Sequence, residues 1–579
     1  MWGCVVLSVF HVSFLTGQEL VYLEHSETLS FDKQRLPDAQ ILKGDVQFRH
    51  DDMLMYCDSA YFYEKTNSLD AFGHVRFVQG DTLSGFGDVL YYDGNTKYAR
   101  FRRNVRLIHR QTVLTTDRVD YDRRAERAFY DEGGQIEDSV STLTSVWGLY
   151  MPPTSQAVFR DQVHLVNQNF ILDTDSLRYN TQSHVADLVR PTVIVYEQET
   201  TILSDCGTYN TETEQSRLLN RSRVLHEDGK QLTGDTIYYD KHIGYGRVKG
   251  HMQLRDTVQQ TTLYGNFGEL FDDGDNAYAT DSALMVDWSN DTSYTFMHAD
   301  TLYADLIPYV DTTIMPIDSA LGRLEPDTIL TDSTYRQIRG FRNVRVYNKE
   351  YQTVSDSMVY NGRDSIATLY YDPVLWSQKQ QVSADVIHIF IKNEVADYAH
   401  GIGNAIAIKH EARDMFDQMQ GKEMYAYIRD GEIRQVDVSG NAETIFYPRE
   451  DDGTFTGVNK TQSSLVQLYL QDQKIEHIVF STTTNGTMYP LDQIKDEERF
   501  LNAFFWATKE RPRNQLDVFR QAERTPRPKE KAVSASVVEE ETAPKPRADK
   551  QRNKRKHENN ETTPITDSAD KQRVGRVGR

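Results

Sequence analysis

A chain of 579 residues with 86 Asp and Glu against 65 Lys and Arg carries a formal charge of −21. That balance argues against nucleic acid as a partner, because phosphate contacts demand a basic face. Glycine (33) and proline (16) are at ordinary levels, which excludes a collagen-like or low-complexity chain, and the length suits several domains or one long array.

The first residues, MWGCVVLSVFHVSFLTG, form an apolar run closed by small residues. Residues 1–17 read as a secretory signal cut near Gly17. The run is too short to span a bilayer, and Cys4 has the wrong neighbours for lipid attachment. Behind it only Cys57 and Cys206 remain. They sit about five repeat units apart, which at strand spacing exceeds roughly 20 Å and excludes a disulfide between them. No zinc-ligand spacing occurs.

From about Gly44 to about Ile445 the chain repeats a unit of about 30 residues, seen clearly in GFGDVLYYDGNTKYARFRRNVRL, Gly85 to Leu107. Recurrence on such a period marks a solenoid-like array. Each unit carries an Asp (Asp58, Asp88, Asp117, Asp175, Asp205, Asp235, Asp356, Asp385), inward positions two and four later, a polar turn, then a second strand opened by Gly or Arg-Asn. Alternation puts those positions on one face of a strand. The inward set comprises Phe62, Leu90, Val119, Leu177 and Ile237 behind the Asp residues. On the second strand it comprises Val75, Phe77, Val105, Leu107, Val163, Leu165, Val193, Val195, Val344 and Val346. The Asp residues themselves read as turn or edge groups that bond nearby backbone, not as functional acids.

The expected organisation is a first array over 18–305, a connector over 306–339 where the period is lost among Pro308, Pro316 and Pro326, and a second array over 340–490. A helix follows over 491–510, with Leu491, Ile494, Leu501, Phe504 and Phe505 near one stripe, suited to capping the open end of the sheet. Residues 511–579 read as a disordered charged tail. From Lys509 on there are 19 Lys and Arg against 12 Asp and Glu, which leaves the rest of the chain near −28.

The phrases GDVQFRHDDMLMYCDSAYFY and RNVRVYNKEYQTVSDSMVYNGRDSIATLYYDPVLWS resemble the OstA/LptA-like domain of lipopolysaccharide transport, the second most closely its two-part form in Bacteroidetes-type bacteria. The resemblance spans about residues 40–510. It implies an elongated, V-shaped, all-β jellyroll in the periplasm whose apolar interior, here the fifteen inward residues, holds the acyl chains of lipopolysaccharide or lipid A. It also implies partner proteins of like fold that add by edge-strand pairing. The chain departs from the outer-membrane translocon, since nothing after about Pro490 alternates as a transmembrane barrel would. It departs from the short bridge protein by its second array and its tail.

The acidic balance sets how a lipid could be held. Attraction to phosphates cannot dominate, so the source is burial of acyl chains at about 0.8 kcal/mol per methylene, with Arg102, Arg103 and Arg106 moderating repulsion. No Gly-x-Ser-x-Gly, His-Glu-x-x-His or phosphate-binding glycine loop occurs, and no catalytic residue, cofactor or metal ligand is expected. The cluster Asp272 to Asn276 lacks the closing Glu of a calcium loop. Two rival readings are a structural or adhesive β-solenoid with a filled core and a β-solenoid carbohydrate-active enzyme.

Overall fold

The computed structural model describes residues 19–528, apart from 273–274, 316–326, 394, 430–431, 451 and 472–473. Residues 1–17, read as a signal, and the tail beyond residue 528 lie outside the described residues.

The described chain is all β and antiparallel. It forms one continuous meander in which each strand pairs with the strands before and after it. Of its 38 strands, ten pairs are halves of one interrupted strand, so 28 rungs are laid down in order. A repeat unit of about 30 residues is therefore two rungs, one up and one down.

Each rung bends near its middle. The ladder between Ser68–Gln79 and Leu83–Asp93 skips from Phe72/Val89 to Val75/Gly87, and the next skips from Arg102/Arg118 to Val105/Thr116. At these bulges two successive residues adopt positive φ: Gly73 and His74, Arg103 and Asn104, Asp161 and Gln162, Gly250 and His251, Arg342 and Asn343, Gly403 and Asn404. Stacked bulges bend a sheet, and here they fold it lengthwise into two leaves that face each other. The periodic Asp is the other half of this hinge. It sits in mid-strand, not at a turn, and binds side chains of the neighbouring bulge: Asp58 Oδ2 to His74 Nδ1 at 2.7 Å, Asp235 to His251 at 2.6 Å, and Asn104 Nδ2 to Asp88 at 2.7 Å. Gly73 has φ +74°, and a Cβ there would lie 2.3 Å from the Asp58 carboxylate. Glycine is required on both counts.

The stretch 306–339 is not a connector. Thr301–Met315 pairs residue for residue with Asp327–Tyr347 and carries the meander through. Val310 and Leu330 are exposed. A hairpin whose outer part faces solvent needs no alternation, which is why its period is lost.

The expected helix over 491–510 is absent; the segment holds a single 3-10 turn at Asp496–Glu498. It runs as an extended strap along the outside of one leaf. Side-chain amides on that leaf satisfy its backbone in place of helical bonds: Gln381 Nε2 donates to Phe505 O and Ala507 N donates to Gln381 Oε1, both at 2.8 Å, and Gln418 does the same for Arg499 and Leu501. Ile494 and Leu501 pack on Ile406, Ile408 and Ile445. The strap continues past residue 510, so 511–528 is ordered, with buried Glu510 accepting from Arg527 at 3.0 Å.

Candidate functional site

The space between the leaves differs along the stack. Up to about Tyr209 it is filled. Rings meet from opposite leaves: Phe48 with Phe62 at 5.4 Å, Phe77 with Phe101 at 5.2 Å, Phe170 with Tyr209 at 4.9 Å between centroids. Opposite the hinge the leaf tips close, and the tyrosine four residues after Asp88, Asp117 and Asp175, or its equivalent Tyr150, supplies the lock. Tyr92 Oη bonds His50 at 2.6 Å, Tyr121 bonds Gln79 at 3.3 Å, Tyr150 bonds His109 at 2.9 Å and Tyr179 donates to Asp138 at 2.6 Å. The partner is always 41 or 42 residues earlier. Burial lowers the His50 imidazole and raises the Tyr92 phenol, so this lock is neutral. Arg123 adds ion pairs to Asp51 at 3.3 Å and to Asp52 at 2.5 Å. The last ties are Asn169 to Glu214 at 2.5 Å and Tyr196 to Glu214 at 3.0 Å.

At the next unit the lock fails. Tyr239 turns its hydroxyl to Asp272 on its own leaf, at 2.5 Å, and the leaves part. A cavity of about 930 Å³ runs between them from Thr200 to Ile433. Those residues span fourteen rungs, or about 60 Å at the usual strand spacing. Its walls are aliphatic or small: Leu232, Leu254, Leu263, Met285 and Met297 from one leaf, Ile237, Leu270, Ala367, Leu369, Ile389 and Ala399 from the other. Tyr351 and Tyr360 also line it, but the ring-on-ring contacts that fill the closed part give way here mainly to leucine, isoleucine, methionine and alanine, which leaves room.

The rim is charged. Asp228, Asp256, Asp272, Asp275, Asp287 and Glu350 line the cavity alongside Lys230, Lys241 and Arg336. Two ties cross from leaf to leaf: Lys230 to Asp275 at 2.9 Å, and Arg336 to Asp256 at 3.7 Å, with Arg336 also 3.2 Å from Asp275. Burial alone would lower the Lys230 ammonium, but hydrogen bonds to Asp228 and Asp275 hold it above its ordinary value.

Thirteen of the fifteen expected residues face inward and are buried. Only Ile237 and Val346 reach the cavity. Phe62, Val75, Phe77, Leu90, Val105, Leu107, Val119, Val163, Leu165, Leu177 and Val344 belong to close-packed core. Val193 and Val195 are corrections: Val193 is exposed and Val195 half-buried, while Thr192 and Ile194 point inward. The hinge here lies just before Thr192, one residue earlier than the expected pairing assumes, and a slip of one residue exchanges the faces. Arg102 pairs with Asp120 at 2.7 Å in the closed part, away from the cavity rim. Cys57 and Cys206 are free thiols, and burial pushes the Cys57 thiol up to about 12. Glu19, His50 and Asp51 converge closely enough to hold a metal ion, but Lys97 already bridges the two carboxylates.

The sequence missed most of the cavity wall, including Leu254, Met297, Leu369 and Ala399. Its one available signal is the thinning of inward aromatics in favour of aliphatic and small residues after Tyr209.

Residues 18–175 match a family described as OstA-like protein. No curated protein matches this chain. Among solved structures it is similar to LptH from Pseudomonas aeruginosa, described as the LptA-homologous periplasmic component of the conserved lipopolysaccharide transport device. The identity is 12% and the TM-score 0.19, over 24% of this chain and 95% of that one. The family match falls within the closed part of the stack; the cavity lies beyond it.

Proposed function

We propose that this chain is a periplasmic carrier of lipopolysaccharide or a related multi-acyl lipid, and that it holds the acyl chains in the cavity between residues 200 and 433. The carrying observation is the cavity itself: apolar along its walls, charged only at its rim, and open on the side where the first array is locked. At roughly 30 Å³ per methylene-sized group, judged from the space one water occupies, 930 Å³ takes on the order of 30 methylenes. Two acyl chains of about 14 carbons fit, each worth up to about 11 kcal/mol of transfer free energy before ordering costs.

The division of labour follows from packing. The closed array has no space for a chain, so it serves as a rigid mount. Among the described residues its first rung, Tyr22–His25 and Thr28–Ser30, pairs only with the following strand, and Tyr22, Leu29 and Phe31 there are exposed. An edge of this kind accepts a strand from a partner of like fold. Nearly equivalent rungs along the cavity let a lipid shift with little change in energy, so no energy-coupling step is needed in this chain. The filled-core reading describes the stack up to about residue 214; the cavity beyond supports the carrier reading instead.

The test is photocrosslinking in cells. A photoreactive residue at Leu369 or Ile389 is expected to capture lipid, and one at Leu107, in the closed core, is not. Capture at Leu107 alone, or at neither, refutes the assignment.

A further inference from the structure

Resting on that reading, we infer that Lys230 and Arg336 are the recognition pair for a phosphate on the lipid head group, held until then as a latch across the cavity mouth by Asp275 and Asp256. Four observations carry this. Lys230 and Asp256 lie on one leaf and Asp275 and Arg336 on the other, so the ties at 2.9 and 3.7 Å span the mouth. All four residues line the cavity. Each of three stands two positions from an apolar wall residue on its own strand: Lys230 from Leu232, Asp256 from Leu254, Arg336 from Ile338. Two residues of strand are about 7 Å, so chains resting on those walls place their head group among Lys230 and Arg336. Finally, no other ion pair joins the two leaves along the cavity among the described residues, so exchange of partners here frees the mouth.

The chemistry favours a phosphate monoester. The Arg336 guanidinium presents a planar fork that matches phosphate oxygens, and Lys230 adds a point charge. An incoming phosphate must displace carboxylates, and the acidic rim opposes it, so a free anion gains little. An anion carried on buried chains gains proximity from their burial. Head-group recognition and opening of the mouth then become one event: Asp275 and Asp256 lose their cations as the phosphate takes them.

The experiment uses the full-length protein with a fluorescent alkyl dye in the cavity. The dye is displaced by a bisphosphorylated acylated disaccharide, by the same molecule after phosphatase treatment, or by inorganic phosphate. Wild type is expected to prefer the phosphorylated lipid by roughly tenfold, the scale of one charge-assisted hydrogen bond, and to ignore inorganic phosphate. Lys230→Gln with Arg336→Gln abolishes the preference while the dephosphorylated lipid binds as before or better. Asp275→Asn strengthens binding of the phosphorylated lipid, which a merely structural salt bridge would not produce. Equal binding of both lipids by wild type, or equal potency of inorganic phosphate, overturns the inference and leaves the carrier reading standing. Failure of either lipid to displace the dye overturns the carrier reading, and the inference with it.

Discussion

Ala367 lines the cavity with 4% of its surface exposed, and its Cβ points between the leaves. Ala367→Trp adds about nine non-hydrogen atoms. At roughly 30 Å³ per methylene-sized group they occupy about 270 Å³ of the 930 Å³ available. Displacing about nine methylenes from the wall costs up to about 7 kcal/mol. A chain that slides to neighbouring rungs recovers part of this, so the expected loss is about 3 kcal/mol, or roughly a hundredfold in Kd. The assay is dye displacement by a multi-acyl lipid, with circular dichroism and protease resistance as checks on the fold. The ring enters existing space, so stability is expected to be nearly unchanged. Ala71→Trp is the contrast. Ala71 is buried in the closed array, where overpacking destabilises by at least 1–3 kcal/mol. A folded Ala367→Trp protein that binds lipid like wild type would refute the cavity as the binding place.

Three further outcomes follow from the hinge, the strap and one buried acid. Gly73→Ala is expected to cost about 2–4 kcal/mol, combining left-handed strain with the Asp58 clash. Gly80→Ala, at φ +56° with nothing within 4 Å, costs only about 1 kcal/mol; equal losses in urea denaturation would sink the hinge account. Gln418→Ala removes both amide bonds to the strap, at about 1 kcal/mol or more each, and should expose residues 491–528 to limited proteolysis while the sheet stays intact. Asp417 is buried near Glu411, and burial first and that neighbour second raise its carboxyl from 3.8 to about 7. The folded protein therefore holds a proton that the unfolded chain has released. Stability should fall as pH rises from about 4 to about 7, by at most ~1.4 kcal/mol per unit, and Asp417→Asn should flatten that slope in pH-dependent thermal melts.

Much of the fold is legible in the residues. Period-two alternation on a 30-residue repeat identified the rungs, and thirteen of fifteen inward positions followed from it. The two that failed, Val193 and Val195, failed together, because both depend on where one hinge falls. The strap departs from its local pattern for a different reason. Its apolar spacing suits a helix, but Gln381, Gln418 and Gln420, distant in sequence, offer its backbone other partners. No local pattern in 491–510 reports them.

The amino-acid sequence alone determined that the chain stacks antiparallel rungs with an apolar inside, because side-chain alternation and the Gly and Asp hinge chemistry act within a few residues. Only the tertiary structure decided where that inside is open. Tyr179 and Tyr239 follow their Asp residues identically, yet one locks to the facing leaf and the other to its own. The choice rests on groups 41 residues earlier and 33 residues later, brought near only when the sheet has folded along its length.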